Sequence, residues 1–515
     1  LDFVVHRRER LTAKDAKGAK KTWIYFFTTI QLLSRLNQHH PCSSVVRFNF
    51  FFATFASFAV KKEMNLSSDK AIEATRIART LREHGYSAYL VGGCVRDLLL
   101  NREPADYDVA TSATPHEVIR IFPQTYAVGA QFGVVLVPVR RDNQDGERAN
   151  FATEVATFRS DGAYSDGRHP DEVQFSTDAR MDVQRRDFTI NGLLLDPDTR
   201  DVLDYVGGRD DLQRGIVRTI GEAHQRFGED KLRMLRAVRF AARFGYSIDD
   251  QTFAAIRELA PQIHQVSHER VRDEILKMLT EGRARRAFEL LDQANLLEQV
   301  LPEIKKMQGV EQPPQYHPEG DVWIHTLMLL EGLPAGCSKT LALGALLHDV
   351  GKPPTFRVAP DRIRFDGHAE IGTKMAEEIC RRFRLSNDDT DQVLSLVANH
   401  MRFGDVERMK DSTLKRFFRL PKFEEQLELH RLDCQSSHRD LSLYEFAKEK
   451  FQTLPSEQIR PQPLITGDDL IAAGYKPGPM FKELLTAVED AQLEGAITTK
   501  KEALARAREL YKSRS

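Results

Sequence analysis

Leu90–Thr111 reads LVGGCVRDLLLNREPADYDVAT, joining a double-glycine turn, Gly92-Gly93, to two carboxylates one residue apart, Asp106 and Asp108. In a strand, residues i and i+2 share a face, so an Asp-x-Asp pair presents two hard oxygen ligands side by side. Magnesium is held in this way, by one or two carboxylates completed by substrate phosphates. The alternative is a solvated turn, because acidic stretches beside a proline such as Pro104 are common in loops. Upstream, Ile72, Ile77, Ala78 and Leu81 recur at helical spacing and Gly85 closes the helix. Ala88 to Val91 is a short apolar strand, and Val95 to Leu100 reads as a helix whose first amides face the glycine turn, an anion-binding arrangement.

Downstream, Thr114-Pro115-His116-Glu117 is a capping box with proline at the first helical position. Strands are expected at Gly133 to Val139 and Phe151 to Phe158, and strand signals fade beyond Asn191. The pattern describes a small mixed sheet with helices on one side, followed by a predominantly helical remainder: class α+β. Arg159 to Pro170 (RSDGAYSDGRHP) reads as a mobile loop, and Gln308 to Glu319, with three prolines, as a linker.

At 515 residues the chain should divide into about three domains. Its 41% hydrophobic and 29% charged residues are those of a soluble globular protein, not a disordered or membrane-embedded one. The five cysteines are scattered, without a CxxC pair, which excludes a thiolate zinc site and fits a reducing cytoplasm. The net charge of −1 is unevenly shared, with 11 Lys and Arg against 4 Asp and Glu in residues 1–63. Any contact with nucleic acid must therefore come from a local basic face. Residues 1–63 combine a Lys/Ala-rich run with a phenylalanine-rich stretch that has no period. They read as an upstream extension of an over-long reading frame, with a targeting segment as the alternative. The phenylalanine-rich stretch is too short and too interrupted to read as a bilayer span.

Two further strings extend the carboxylate motif. Arg185-Arg186-Asp187-Phe188-Thr189-Ile190-Asn191 sets two guanidinium groups, suited to triphosphate oxygens, beside a carboxylate suited to ribose hydroxyls. Gly228 to Tyr246 (GEDKLRMLRAVRFAARFGY) reads as one amphipathic helix with Arg233, Arg236, Arg239 and Arg243 along a positive ridge and Leu232, Leu235 and Val238 on its core face. Further on, ALGALLHDVGK sets His348 and Asp349 at the end of an apolar helix, with His325 before it and His368, His400 and Asp433 after it. Imidazole with carboxylate suits a divalent transition metal.

GGxxRDLLL followed by DxD, RRDFTIN and EDxxRxxRAxRF resembles the class II tRNA nucleotidyltransferase and bacterial poly(A) polymerase family across roughly residues 80–300. The resemblance implies a nucleotidyltransferase head, a helical neck and further helical domains that hold an RNA acceptor. On it, Asp106 and Asp108 hold magnesium and are catalytic, with Glu154 a candidate third carboxylate. Gly92, Gly93, Arg96, Arg185, Arg186 and Asp187 meet the nucleotide's phosphates and ribose. Asp230 and Arg233 form the template for the incoming base, supported by Arg236 and Arg239. One Asp/Arg pair can accept both cytosine and adenine, each of which presents an amine beside a ring acceptor, and leaves uracil and guanine unpaired.

The histidine set resembles the HD phosphohydrolase domain that some bacterial members carry after the neck. This implies His325, His348, Asp349 and Asp433 as metal ligands and His368 and His400 as ligands of a second site. Nickel, manganese and magnesium all suit these ligand types, and a degenerate, structural HD domain is the alternative. The expected domains are 64–192 (head), 193–307 (neck), 308–440 (HD) and 441–515 (helical C-terminal region, whose PLITGDDLIAAGYKPGP also resembles HD-containing members). The expected activity is magnesium-dependent addition of CCA, or its terminal A, to tRNA from CTP and ATP, in the cytoplasm and without a membrane. The complete HD set and the lack of a strongly basic C-terminal tail favour tRNA over arbitrary RNA. The alternatives are a poly(A) polymerase and, further off, an HD phosphohydrolase with a non-catalytic RNA-binding head.

Overall fold

The computed structural model describes residues 64–514 apart from 128, 143–147, 163 and 165–170. The extension at 1–63 and most of the loop at 159–170 lie outside the described residues. Within them, helix α1 (Asp69–Glu83) leads into β1 (Ala88–Val91), α2 (Gly93–Leu99), β2 (Asp108–Thr111) and α3 (Pro115–Ile121). The capping box at Thr114 and Glu117 forms as expected. Next come β3 (Val134–Asp142), β4 (Arg148–Thr157), a ribbon of β5 (Arg159–Asp161) and β6 (Val173–Phe175), and α4 (Ala179–Gln184). The start of the expected loop is therefore a strand, because Arg159–Asp161 pairs with Val173–Phe175.

Two three-residue strands that the sequence did not signal, β7 (Leu193–Leu195) and β8 (Val202–Asp204), complete a six-stranded sheet of order β3-β4-β2-β1-β7-β8. Only β2 and β4 are parallel, so the sheet is mixed. A head boundary at 192 would cut this sheet, so the head runs on past Asp204. The expectation of helices on one side is also corrected. Ala179 and Val183 of α4 cover the face bearing Val91, Ala110 and Leu194. Leu90 and Val109, on the other face, are equally buried, and α1 packs against β1 and β2. The continuous apolar run of β1, in place of an alternating one, reflects this two-sided burial.

Three helices follow the sheet: α5 (Gly208–Arg214), α6 (Ala223–Glu229) and α7 (Leu232–Phe244). The single helix expected over 228–246 is thus two. Asp230 adopts an extended backbone and its carboxylate accepts from the Leu232 amide at 3.0 Å, making a local turn that ends α6 before α7 begins. Helix α8 (His268–Thr280) packs on α7. The histidines sit on α9 (Val322–Glu331), α10 (Lys339–Leu347) and its end, α11 (His368–Arg382), and the end of α12 (Asn387–Asn399), with Asp433 on α13 (Phe423–Ser436).

Two other expected boundaries move. The segment read as a linker at 308–319 is a closed loop: Glu311 bridges Asp321, the Gln312 amide donates to Gly320, and Gln312 is buried. Its prolines stop helix formation without freeing the chain. The boundary at 440 falls inside one apolar core that runs from Phe403 and Phe417 to Tyr444, Ala447 and Ile459; a separate core of Ile465, Leu470, Leu484, Val488, Ala503 and Ala507 follows. Among the described residues no helix is long and apolar enough to cross a membrane.

Candidate active site and metal centre

The twelve head and neck residues assigned to catalysis and nucleotide binding line one cavity of about 680 Å³ together with Arg243, while Glu154 is not among the lining residues. Gly92 makes the turn with φ 77°, and a Cβ there would meet the Arg186 guanidinium at 3.4 Å, so glycine serves both the backbone and the close approach. Asp108 opens β2, whereas Asp106 lies just before it and not within the strand. Asp106 is exposed and bound by Lys70 Nζ at 2.8 Å. Burial pushes the Asp108 carboxyl up to about 6, helped by Glu154 and Asp106 and opposed by Arg186. Glu154, next to Val155 in the β2/β4 pairing, is therefore the third carboxylate at this edge. The oxygens of Asp106, Asp108 and Glu154 are not all within 4.8 Å of one another, but their mutual repulsion makes a negative centre that a divalent cation would relieve.

Asp182, which the sequence reading passed over, organises the arginines. It is fully buried and accepts from Arg185 at 2.6 Å and Arg186 at 2.8 Å. Its spacing of three and four residues before that pair on a helix was the available signal. Asp187 receives Arg236 at 2.9 and 2.6 Å and caps the Phe188 amide at 2.8 Å, tying head to neck. Burial alone would raise Asp187, but Arg236, with Asn191 and Arg233, brings it down to about 2. Arg96 is buried against Asn191 at 2.6 Å and Asp97 at 2.8 Å, stacked over Phe244.

The positive ridge expected along α7 is largely neutralised. Arg239 is buried against Glu274 at 2.6 Å, and Arg243 lies 3.5 Å from Glu281. Asp230 and Arg233 do not pair with each other. Arg270 grips Asp230 at 2.7 Å, while Arg233 donates to Glu229 at 2.7 Å and to the Arg185 carbonyl at 3.2 Å. Even so, nine cationic side chains face five carboxylates around the cavity, a balance that favours an anionic ligand.

The six HD residues converge in a second place. His325, His348 and Asp433 form one group of donor atoms within 4.8 Å of one another, and Asp349, His368 and His400 form another. Asp349 joins them: one oxygen lies 3.1 Å from His348 Nε2, the other 3.7 Å from His368 Nε2 and 3.8 Å from His400 Nε2. Facing Nε2 atoms lie 3.3 Å apart in His325 and His348 and 3.2 Å apart in His368 and His400. Nδ1 of His348, His368 and His400 each approaches a backbone carbonyl, which leaves the Nε2 lone pairs of His368 and His400 pointing at each other. Lone pairs so opposed repel unless a cation lies between them, so this donor set fits divalent metal. Burial pushes His400 down to about 4. It opposes charge on His325 as well, yet Asp433 and Glu319 raise that residue to about 9. An adjoining cavity of about 500 Å³ is lined by Asp349, His368, His400 and Asp433 and by Lys352, Arg362 and Arg364.

A mixed sheet whose glycine turn leads to paired carboxylates in an arginine-lined cavity defines an RNA nucleotidyltransferase head. Residues 88–218 match the model of the poly A polymerase head domain, 245–308 that of a probable RNA and SrmB-binding site of polymerase A, and 368–507 that of tRNA nucleotidyltransferase domain 2. The CCA-adding enzyme of Geobacillus stearothermophilus is 33% identical over 432 residues, spanning 84% of this chain and 94% of that protein. The solved structure of the Bacillus stearothermophilus CCA-adding enzyme in complex with CTP superposes with a TM-score of 0.66 at 28% identity, over 87% of this chain and 99% of that one. A Thermotoga maritima CCA-adding enzyme complexed with tRNA shares the fold, with a TM-score of 0.52 at 18% identity over 87% of this chain and 97% of that one. The chain belongs to the CCA-adding enzyme family.

Proposed function

We propose that this chain completes the 3' end of tRNA with CCA from CTP and ATP, using magnesium at Asp106 and Asp108. The convergence of all twelve head and neck residues on one cavity, within a family of CCA-adding enzymes, carries this reading. When bound, the ion neutralises triphosphate charge and acidifies the attacking hydroxyl. Asp106, Asp108 and Glu154 hold it. Arg185 and Arg186, pinned by Asp182, present their guanidinium groups to the phosphates at low entropic cost. Asp230, steadied by Arg270, accepts from the exocyclic amine shared by cytosine and adenine, and Arg233 donates to the neighbouring ring acceptor. Both side chains are already engaged in the free protein, so a base exchanges partners with them and gains little unless it satisfies both.

The facing imidazoles of the HD cluster favour a second activity, hydrolysis of phosphate esters at a two-metal centre. His325, His348 and Asp433 would hold one ion and His368 and His400 the other, with Asp349 near both groups. The two centres separate by mutation. Asp106→Ala should abolish incorporation of labelled CMP and AMP into tRNA lacking CCA and spare phosphatase activity, while His348→Ala should do the reverse. Loss of both activities in either variant contradicts the division.

A further inference from the structure

Of the four imidazoles facing the HD cluster, three are oriented alike. Nδ1 of His348, His368 and His400 lies 3.0, 2.9 and 2.7 Å from the carbonyl oxygen three residues earlier, in Ala345, Phe365 and Val397. His325 differs. Its Nδ1 lies 2.8 Å from Glu319 Oε1, in ion-pair contact but outside hydrogen-bond alignment, and that oxygen is also 2.9 Å from His317 Nδ1. The Glu319 side chain is 4% exposed, and its other oxygen, Oε2, accepts no hydrogen bond among the described residues.

The closed loop ahead of α9 sets this contact. Glu311 bridges Asp321, Gly320 turns at φ 81°, and the Asp321 carboxylate caps the helix at the Ile324 amide, 3.0 Å away. Glu319 is thereby fixed above the helix that carries His325. Burying a carboxylate with so few donors is unfavourable unless positive charge stands nearby. Glu319, His317 and His325 are close enough to hold an ion of their own. Imidazole chemistry argues against that use. His325 Nε2 faces His348 Nε2 at 3.3 Å and Asp433 at 3.1 Å, and a neutral ring has one lone pair. When Nε2 gives that pair to an ion in the cluster, Nδ1 must carry a hydrogen, and Glu319 Oε1, 2.8 Å away, needs only a small turn of the ring to accept it.

We propose that Glu319 is a positioning residue for the metal centre: it locks the His325 ring with Nε2 toward His348 and Asp433 and strengthens ion binding there. Carboxylate acceptors behind ligating histidines raise their basicity above what a neutral carbonyl provides. The inference rests on the reading of the HD cluster as a metal centre.

The test is a manganese(II) titration of the full chain by equilibrium dialysis, in an Asp108→Asn background so that the head contributes little. The parent should take up one ion for each donor group. Glu319→Ala should weaken one of the two binding steps about 10–100-fold with saturating stoichiometry unchanged, and Glu319→Gln, whose amide oxygen still accepts from Nδ1, should weaken it less. Far-UV circular dichroism checks that the variants remain folded. Affinity within about twofold of the parent in Glu319→Ala overturns the positioning role, the threshold being set against the effect expected for such partners. Saturation with one ion fewer overturns it too, by making Glu319 a ligand. If the parent takes up no ion, the metal-centre reading falls and this inference with it.

Discussion

Arg236→Met removes the guanidinium that ties the neck to Asp187 of the head while keeping most of the aliphatic stem. In the native protein the Asp187 carboxyl lies at about 2 against a usual 3.8. A shift of that size corresponds to about 2 kcal/mol of stability near neutral pH. Without Arg236 the carboxylate stays buried beside the Phe188 amide and Asn191 and loses its hydrogen-bonded cation, leaving Arg233 as a weaker counter-charge. Breaking a buried pair in this way costs about 3–5 kcal/mol, and the low end applies because the Arg236 side chain is 32% exposed.

The pH dependence has a definite sign. In the native protein the depressed Asp187 contributes stability that is complete above the usual carboxylate range and is lost as pH falls toward about 2. In the variant, burial without the paired guanidinium raises the same group above its native value, so protonation relieves the penalty as pH falls. Equilibrium urea unfolding followed by circular dichroism should therefore show a loss of about 3 kcal/mol near neutral pH that shrinks by about pH 4. A loss below about 1 kcal/mol, or one equal at both pH values, would refute the assignment of this pair as a buried strut.

Asp108→Asn should cut nucleotide addition by at least about three orders of magnitude, measured as single-turnover extension of tRNA lacking CCA, because a central metal carboxylate is lost. Retention of more than about a tenth of the rate would remove Asp108 from that role. His348→Ala should lower the metal content of purified protein, read by elemental analysis, without slowing CMP incorporation. Gly351→Ala should destabilise the histidine domain by about 1–3 kcal/mol in thermal unfolding, since a Cβ there would run into the backbone of His368 and Gly372. An unchanged midpoint would contradict that packing.

The head site was legible because its chemistry is packed into short strings, each carried by one turn, strand end or helix: Gly92-Gly93, Asp106 to Asp108, Arg185 to Asp187. The two-sided sheet was less so. β7 and β8 have three residues each, too few to show a period, and they pair only because Leu193–Leu195 lies against β1. The break at Asp230 was hidden because the arginine spacing starts only at Arg233 while the expected helix reached back to Gly228, whereas the aspartate side chain turns the local backbone. Composition made 308–319 look like a linker, whereas Glu319 reaches His325 through a loop closed by backbone pairing, which residue types do not reveal. The ridge on α7 was misjudged for a similar reason. Glu274 and Glu281, the partners that neutralise Arg239, stand 35 and 42 residues away in sequence.

Sequencing the 3' ends of products tests the central claim most directly. The purified chain would be incubated with CTP and ATP on tRNA lacking CCA and, separately, on an unrelated RNA. The site predicts tRNA products that end in C, C and A and stop there, with little extension of the other RNA. Long runs of A on either substrate, without incorporation of C, would contradict it.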